Sequence, residues 1–185
     1  MIRNENSQSV LPQIAQYWNR RAQGYALQVD DEFKASLQDV YLPWFKTVAA
    51  EGSVLDVGCG PGFFSVMLAK AGYAVTAFDA STEMLRMACE RASVTGVCID
   101  AVRGDAQFLP FADNTFDCVC SRNLVWNLEL PQTAYREWLR VLKPAAYCSP
   151  LTAITIAIFL TSVMLGYTKR GKTEATIRCS EWTPV

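Results

Sequence analysis

The sequence predicts an α/β protein whose mainly parallel sheet is covered by helices on both faces. Three observations carry this: short apolar runs alternate with helical stretches of ten or so residues, a glycine-rich turn follows the first run, and acidic residues stand at the ends of the second and third. Strands that alternate with helices need right-handed crossovers, and a sheet built that way is buried on both sides.

Residues 12–50 carry apolar and aromatic positions at loose spacings of three and four (Ile14, Tyr17, Trp18, Tyr25, Phe33, Leu37, Tyr41, Trp44, Phe45), which reads as helix before any strand. Ser53–Val57 is the first apolar run, followed by the turn Gly58, Cys59, Gly60, Pro61, Gly62 and a helical stretch over 63–71 closed by Gly72. Residues 74–78 form a second strand ending in Asp79. Ser81 or Thr82 then caps a helix with Met84, Leu85, Ala88 and Ala92 on its apolar face. Residues 97–102 read as a third strand leading into Gly104, Asp105 and Ala106, and 116–121 as a fourth, introduced by the turn residues Asp113 and Asn114. A helix then begins with Pro131 in its first turn and stops before Pro144.

Composition narrows the chemistry. A length of 185 residues, 51% of them hydrophobic, accommodates one globular domain. A net charge of −1 without a long basic run argues against a nucleic-acid surface and for a small-molecule partner. The chain has no histidine, which removes the commonest general base, the commonest zinc ligand and every histidine-activated nucleophile, and no metal site is expected. Seven irregularly spaced cysteines and the polar opening MIRNENSQ point to a reducing, cytoplasmic setting.

The sharpest signal is VLDVGCGPG at 54–62. Glycines there allow a ligand to approach the backbone at the mouth of the first strand. A dinucleotide loop is the main rival, but Phe63 stands where that fingerprint places its third glycine, and Asp56 places a carboxylate where a pyrophosphate would sit. A ligand with an amino group and no phosphate suits Asp56 better, through a charge-assisted hydrogen bond made directly or through water. Asp79, about 20 residues beyond the loop, can accept both hydroxyls of a ribose, or can be a solvated acid at a strand end. Asp105 can take an adenine amino group with the Ala106 amide facing a ring nitrogen, or can be an ordinary turn aspartate. Cys59 has no basic neighbour in sequence and reads as a small side chain rather than a nucleophile, and Cys118 and Cys120 as strand packing.

Taken together, these residues resemble the class I S-adenosylmethionine-dependent methyltransferases of the small-molecule branch that includes quinone-biosynthesis enzymes, from about Tyr17 to Pro144. LPFADNTFDCV at 109–119 and REWLRVLKP at 136–144 resemble further signatures of that family. The resemblance implies a Rossmann-like three-layer α/β/α fold and S-adenosyl-L-methionine as cofactor. It implies cofactor contacts from Asp56, Gly58, Cys59, Gly60, Gly62, Asp79, Ala80, Met84, Asp105 and Ala106, with Tyr17 and Arg21 from an N-terminal helical lid. The lid corresponds to residues 1–50 and the cofactor-binding core to 51–144, although plain helix packing by Tyr17 and Trp18 explains the first segment equally well. Tyr25, Asn123 and Trp126 are the candidate catalytic or methyl-lining positions, Trp126 having core packing as its alternative reading.

Methyl transfer needs mainly a near-attack geometry and exclusion of water, so a dedicated base is not obligatory. A noncatalytic or truncated S-adenosylmethionine-binding protein and a nicotinamide-dependent oxidoreductase are the alternative functions. The family pattern stops at Pro144: two glycines and a strand are expected, whereas residues 145–185 form an atypical tail with no charge between Ala145 and Thr168. The apolar run 151–167 has the length of a short membrane anchor, but an anchor would carry Lys169, Arg170 and Lys172 across the bilayer. Back-translated through the genetic code, a shifted reading frame after Pro144 permits a strand of the family type. The tail is therefore expected to be a frameshift product that leaves the sheet C-terminally incomplete, rather than an anchor or a divergent strand and helix.

Overall fold

A computed structural model describes residues 9–49, 51–144 and 156–159. In chain order the helices are α1 (Leu11–Lys34), α2 (Leu37–Val48), α3 (Phe63–Lys70), α4 (Thr82–Val94) and α5 (Pro131–Val141). The strands are β1 (Ser53–Val57), β2 (Ala74–Asp79), β3 (Asp100–Arg103), β4 (Cys118–Arg122) and β5 (Ile156–Phe159). The five strands form one sheet in the order β3-β2-β1-β4-β5, and every pairing is parallel.

Side chains alternate across this sheet and define two apolar layers. Val54, Val75, Cys118 and Cys120 pack toward Phe63, Phe64, Met67 and Leu68 of α3, together with Val29 of α1 and Phe45 of α2. Leu55, Val57, Phe78 and Val119 pack on the opposite face toward Ala134, Trp138 and Val141 of α5. The result is the three-layer Rossmann-like arrangement that the resemblance implies.

Local chemistry explains where elements stop. α3 and α4 both end in a Schellman turn: Gly72 and Gly96 adopt positive φ, Tyr73 donates to the Leu68 carbonyl and Val97 to the Ala92 carbonyl. The second turn uses Val97 and delays the third strand, which starts at Asp100 rather than at residue 97. β3 is also the outermost described strand on its side and is largely exposed, so the expectation of strands buried on both faces fails there. β4 is likewise two residues later than expected, because Phe116 instead makes an isolated bridge with Leu142 beside the end of α5. The single helical segment expected over 12–50 is two helices, broken where Ser36 takes a left-handed conformation (φ 57°).

The segments LPFADNTFDCV and REWLRVLKP hold each other. Arg140 donates to the Leu109 and Phe111 carbonyls at 3.0 and 2.8 Å, and Glu137 accepts from the Leu109 amide at 3.0 Å. Trp138, fully buried, donates its indole N–H to the Ala106 carbonyl at 2.9 Å and fixes the loop after β3. Of the tail, only β5 belongs to the described residues, paired parallel to β4. The frameshift and anchor expectations otherwise lie outside the described residues. Among those residues no helix is long and apolar enough to cross a membrane.

Candidate functional site

The strand order reverses at β1, where the chain has laid β2 and β3 on one side and places β4 on the other. In open α/β sheets a crevice forms at such a point, outside the carboxyl ends of the strands. The main cleft lies there, about 760 Å³ including space open to solvent. Gly58 and Gly60 line it from the end of β1, Asp79, Ala80, Ser81 and Met84 from β2 and α4, Asp105, Ala106 and Gln107 from the loop after β3, and Asn123 and Leu124 from the end of β4. α1 closes it with Leu11, Ile14, Ala15, Trp18 and Tyr25.

The glycine turn spends its backbone donors on the protein itself. The Gly58 and Cys59 amides both donate to the Phe78 carbonyl (2.7 and 3.1 Å), the Gly60 amide donates to Asp79 Oδ2 (2.9 Å), and Gly62 donates to the Cys59 carbonyl (3.1 Å). Pro61 has no N–H. The turn therefore offers no row of amides to a phosphate. The start of α3 is closed in the same sense: Asp56, nearly inaccessible to water, accepts from the Ser65 hydroxyl at 2.6 Å. A carboxylate thus occupies the helix N-terminus where a dinucleotide's pyrophosphate would bind. Burial pushes the Asp56 carboxyl up to about 6, opposed by the Ser65 hydrogen bond and by the Arg122 guanidinium.

Asp79 has both oxygens oriented by backbone, Oδ2 by Gly60 and Oδ1 by the Ser81 amide at 2.8 Å. Burial raises its carboxyl above the ordinary value, and these N–H donors partly offset the rise. Each oxygen keeps a lone pair for a ligand hydroxyl. Asp105 is held by Gln107, whose backbone and side-chain nitrogens donate to it at 2.9 and 3.1 Å, while Gln107 Oε1 accepts from the Leu130 amide.

The structure thus brings Gly58, Gly60, Asp79, Ala80, Met84, Asp105, Ala106, Tyr25 and Asn123 to one cleft. Asp56 and Cys59 border a smaller adjoining cleft that shares Tyr25, Gly58, Gly60 and Arg122 with the first. Cys59 is buried, and burial together with Asp79 and Asp56 pushes its thiol well above its ordinary value, which disfavours the thiolate that a nucleophile needs. Gly62 borders neither cleft: a Cβ there would lie 2.9 Å from the Ala88 Cβ, so this glycine serves α3 to α4 packing. Tyr17 and Arg21 also border neither. Tyr17 is 51% exposed with the Arg21 guanidinium 5.6 Å over its ring, both turned away from the cleft. Trp126 is 62% exposed and meets the cleft only through Trp18, with ring centroids 6.0 Å apart.

Sequence reasoning missed Trp18 as a lining residue, Gln107 as the brace of Asp105, and Arg122, which stacks 4.4 Å over the Phe63 ring and pairs with Glu32 at 2.7 Å. The signal for the α1 residues appears only with the structure. The buried residues of α1 are Ala15, Ala22 and Val29, seven apart, and the positions three further on are Trp18, Tyr25 and Glu32. Two positions of a seven-residue repeat share one helix face, so the burial of the first set decides that the second faces the cleft wall.

A parallel sheet with an acid poised at the end of β2 and a glycine turn without free amides defines an α/β protein with a polar crevice at its topological switch point. The chain belongs to the methyltransferase domain family, whose profile matches residues 55–149. It is 44% identical over 91 residues to a demethylmenaquinone methyltransferase of Renibacterium salmoninarum, covering 49% of this chain and 37% of that one. It is 40% identical over 136 residues to a malonyl-[acyl-carrier protein] O-methyltransferase of Erwinia billingiae, covering 71% and 49%. Among solved structures it resembles a putative S-adenosyl-L-methionine-dependent methyltransferase of Methanococcus maripaludis, with TM-score 0.53 and 26% identity over 77% of this chain and 64% of that one. The matches span less than half the length of the two curated relatives.

Proposed function

We propose that the chain binds S-adenosyl-L-methionine and transfers its methyl group to a small-molecule acceptor. The observation that carries this reading is the Asp79 carboxylate, pinned by Gly60 and Ser81 beside a turn that has no amides left for a phosphate. The residues fit the cofactor. Asp79 would take the ribose hydroxyls, Asp105 and Ala106 the adenine, and Gly58 and Gly60 the methionine chain, with Asp56 meeting the amino group in the smaller cleft. When bound, the cofactor supplies an activated methyl group on a sulfonium, a good leaving group.

The protein's own part is orientation and exclusion of water. α1 covers the cleft with Trp18 and Tyr25, whose rings meet edge to face at 5.6 Å. The Tyr25 hydroxyl accepts from Asn123 Nδ2 at 3.3 Å, and Asn123 is held at φ 59°, an uncommon conformation that costs energy and recurs at ligand sites. Tyr25 and Asn123 orient the acceptor in this reading, and the aromatic pair favours a planar, apolar one. A cytoplasmic enzyme with a small-molecule acceptor and neither a nucleic-acid nor a membrane partner fits the near-neutral charge and, among the described residues, the free thiols of Cys59, Cys89, Cys98, Cys118 and Cys120.

Calorimetric titration with S-adenosylmethionine, S-adenosylhomocysteine and NADH tests the proposal. The two adenosyl sulfur compounds are expected to bind and NADH is not; preference for NADH would sink the reading of Asp56 and of the turn.

A further inference from the structure

We propose that Asn19 is a positioning residue that latches the first half of α1 to the adenosine end of the cleft, so that closure of this helix and retention of the cofactor are coupled. Asn19 Oδ1 accepts from the Ser81 hydroxyl at 2.6 Å and from the Glu83 amide at 3.2 Å. It therefore satisfies one of the free amides at the start of α4, while Ser81 Oγ satisfies another by accepting from Met84 at 3.1 Å. The Ser81 amide in turn donates to Asp79 Oδ1. An unbroken hydrogen-bonded path thus runs from α1 through Ser81 to the carboxylate assigned to the ribose.

The rest of α1 is held differently. Its second half is anchored in the sheet domain by fully buried Val29, by the ion pair of Asp30 with Arg91 and by that of Glu32 with Arg122. Between the two halves lies Gly24, where a side chain would meet nothing within 4 Å and where helix propensity is weak. Among the described residues, the first half is held by the apolar packing of Ala15, Ala22 and Trp18, by the Ser9 and Val10 bonds to Glu129, and by Asn19, its polar tie to the start of α4. Releasing Asn19 is expected to loosen residues 11–18 more than residues 29–34.

The coupling to cofactor rests on the proposed ribose role of Asp79; the latch itself does not. The test uses Asn19→Leu and Asn19→Asp in the full chain. Asp keeps an acceptor for both donors, and its charge is favourable at a helix N-terminus. Hydrogen exchange without ligand is expected to quicken roughly tenfold at residues 11–18 and at Glu83 in Asn19→Leu, with the sheet amides unchanged and Asn19→Asp near wild type. Dissociation of S-adenosylhomocysteine is expected to quicken by a similar factor in Asn19→Leu and to be restored in Asn19→Asp. Unchanged exchange, faster exchange across the whole sheet, or no rescue by Asp overturns the latch. Altered exchange with unaltered dissociation overturns the coupling. Equal affinity of wild type and Asp79→Ala for S-adenosylhomocysteine refutes the ribose assignment instead, and the exchange result still decides for or against Asn19.

Discussion

Glu32 of α1 and Arg122 at the end of β4 form an ion pair of 2.7 Å, with side-chain exposures of 16% and 8%, so a helix that precedes every strand is tied electrostatically to the floor of the cleft. The guanidinium also stacks on Phe63 and Phe64, which holds its plane. Removing the acid alone leaves a shielded cation without its nearest counter-charge. Glu32→Gln is expected to destabilise the protein by about 3 kcal/mol in urea unfolding, whereas Arg122→Met with Glu32→Met is expected to cost less, since an apolar pair removes both desolvation penalties. A double variant as unstable as the single one would contradict this.

Asp56 makes stability depend on pH. Its folded-state carboxyl is raised from 3.8 to about 6, mainly by burial, so the folded protein holds this proton over a range in which the unfolded chain has lost it. That contribution is complete below pH 3.8 and is lost as pH rises through about 6, up to roughly 3 kcal/mol in all. Denaturant unfolding of wild type and Asp56→Asn between pH 4 and 7 should show wild type losing stability relative to the variant as pH rises. A difference that does not vary with pH would be inconsistent with the buried, raised carboxyl.

Two glycines of one turn should fail in different ways. Gly62→Ala forces a Cβ to 2.9 Å from the Ala88 Cβ and 3.0 Å from its Cα at φ 86°, so it is expected to cost roughly 2 to 4 kcal/mol of stability. At Gly60 (φ 54°) the nearest atom to an added Cβ is the Tyr25 ring at 3.5 Å, so Gly60→Ala should cost about 1 kcal/mol of backbone strain. Its larger effect should be on ligand affinity, because the methyl group enters the cleft. Urea unfolding and calorimetry on both variants separate the two outcomes, and equal stability losses would argue against the distinction.

Asp79→Ala should weaken S-adenosylhomocysteine binding by about 1.5 to 3 kcal/mol for each charge-assisted hydrogen bond removed. Stability should change less, because the Gly60 and Ser81 amides that Asp79 now satisfies lie at the cleft, where water can replace it. A folded variant with undiminished affinity would rule out the ribose role.

What the sequence by itself determined is what short-range chemistry decides: the strand, glycine turn and helix over 53–72, a helix cap at Ser81 or Thr82, of which the structure uses Ser81, and the acids at the ends of β2 and β3. Positive φ, helix capping and apolar alternation act within a few residues, so they are legible without knowing the neighbours. Tertiary structure decided which side chains of α1 face the cleft. Successive helix residues turn by about 100°, and the burial of Ala15, Ala22 and Val29 selects Trp18 and Tyr25 while turning Tyr17 and Arg21 outward. It also decided that Asp56 is held by Ser65, that Gly62 serves helix packing, and that Asn19 reaches Ser81, a residue 62 positions further along the chain. No local pattern encodes these contacts, because each depends on where a distant element comes to rest against the sheet.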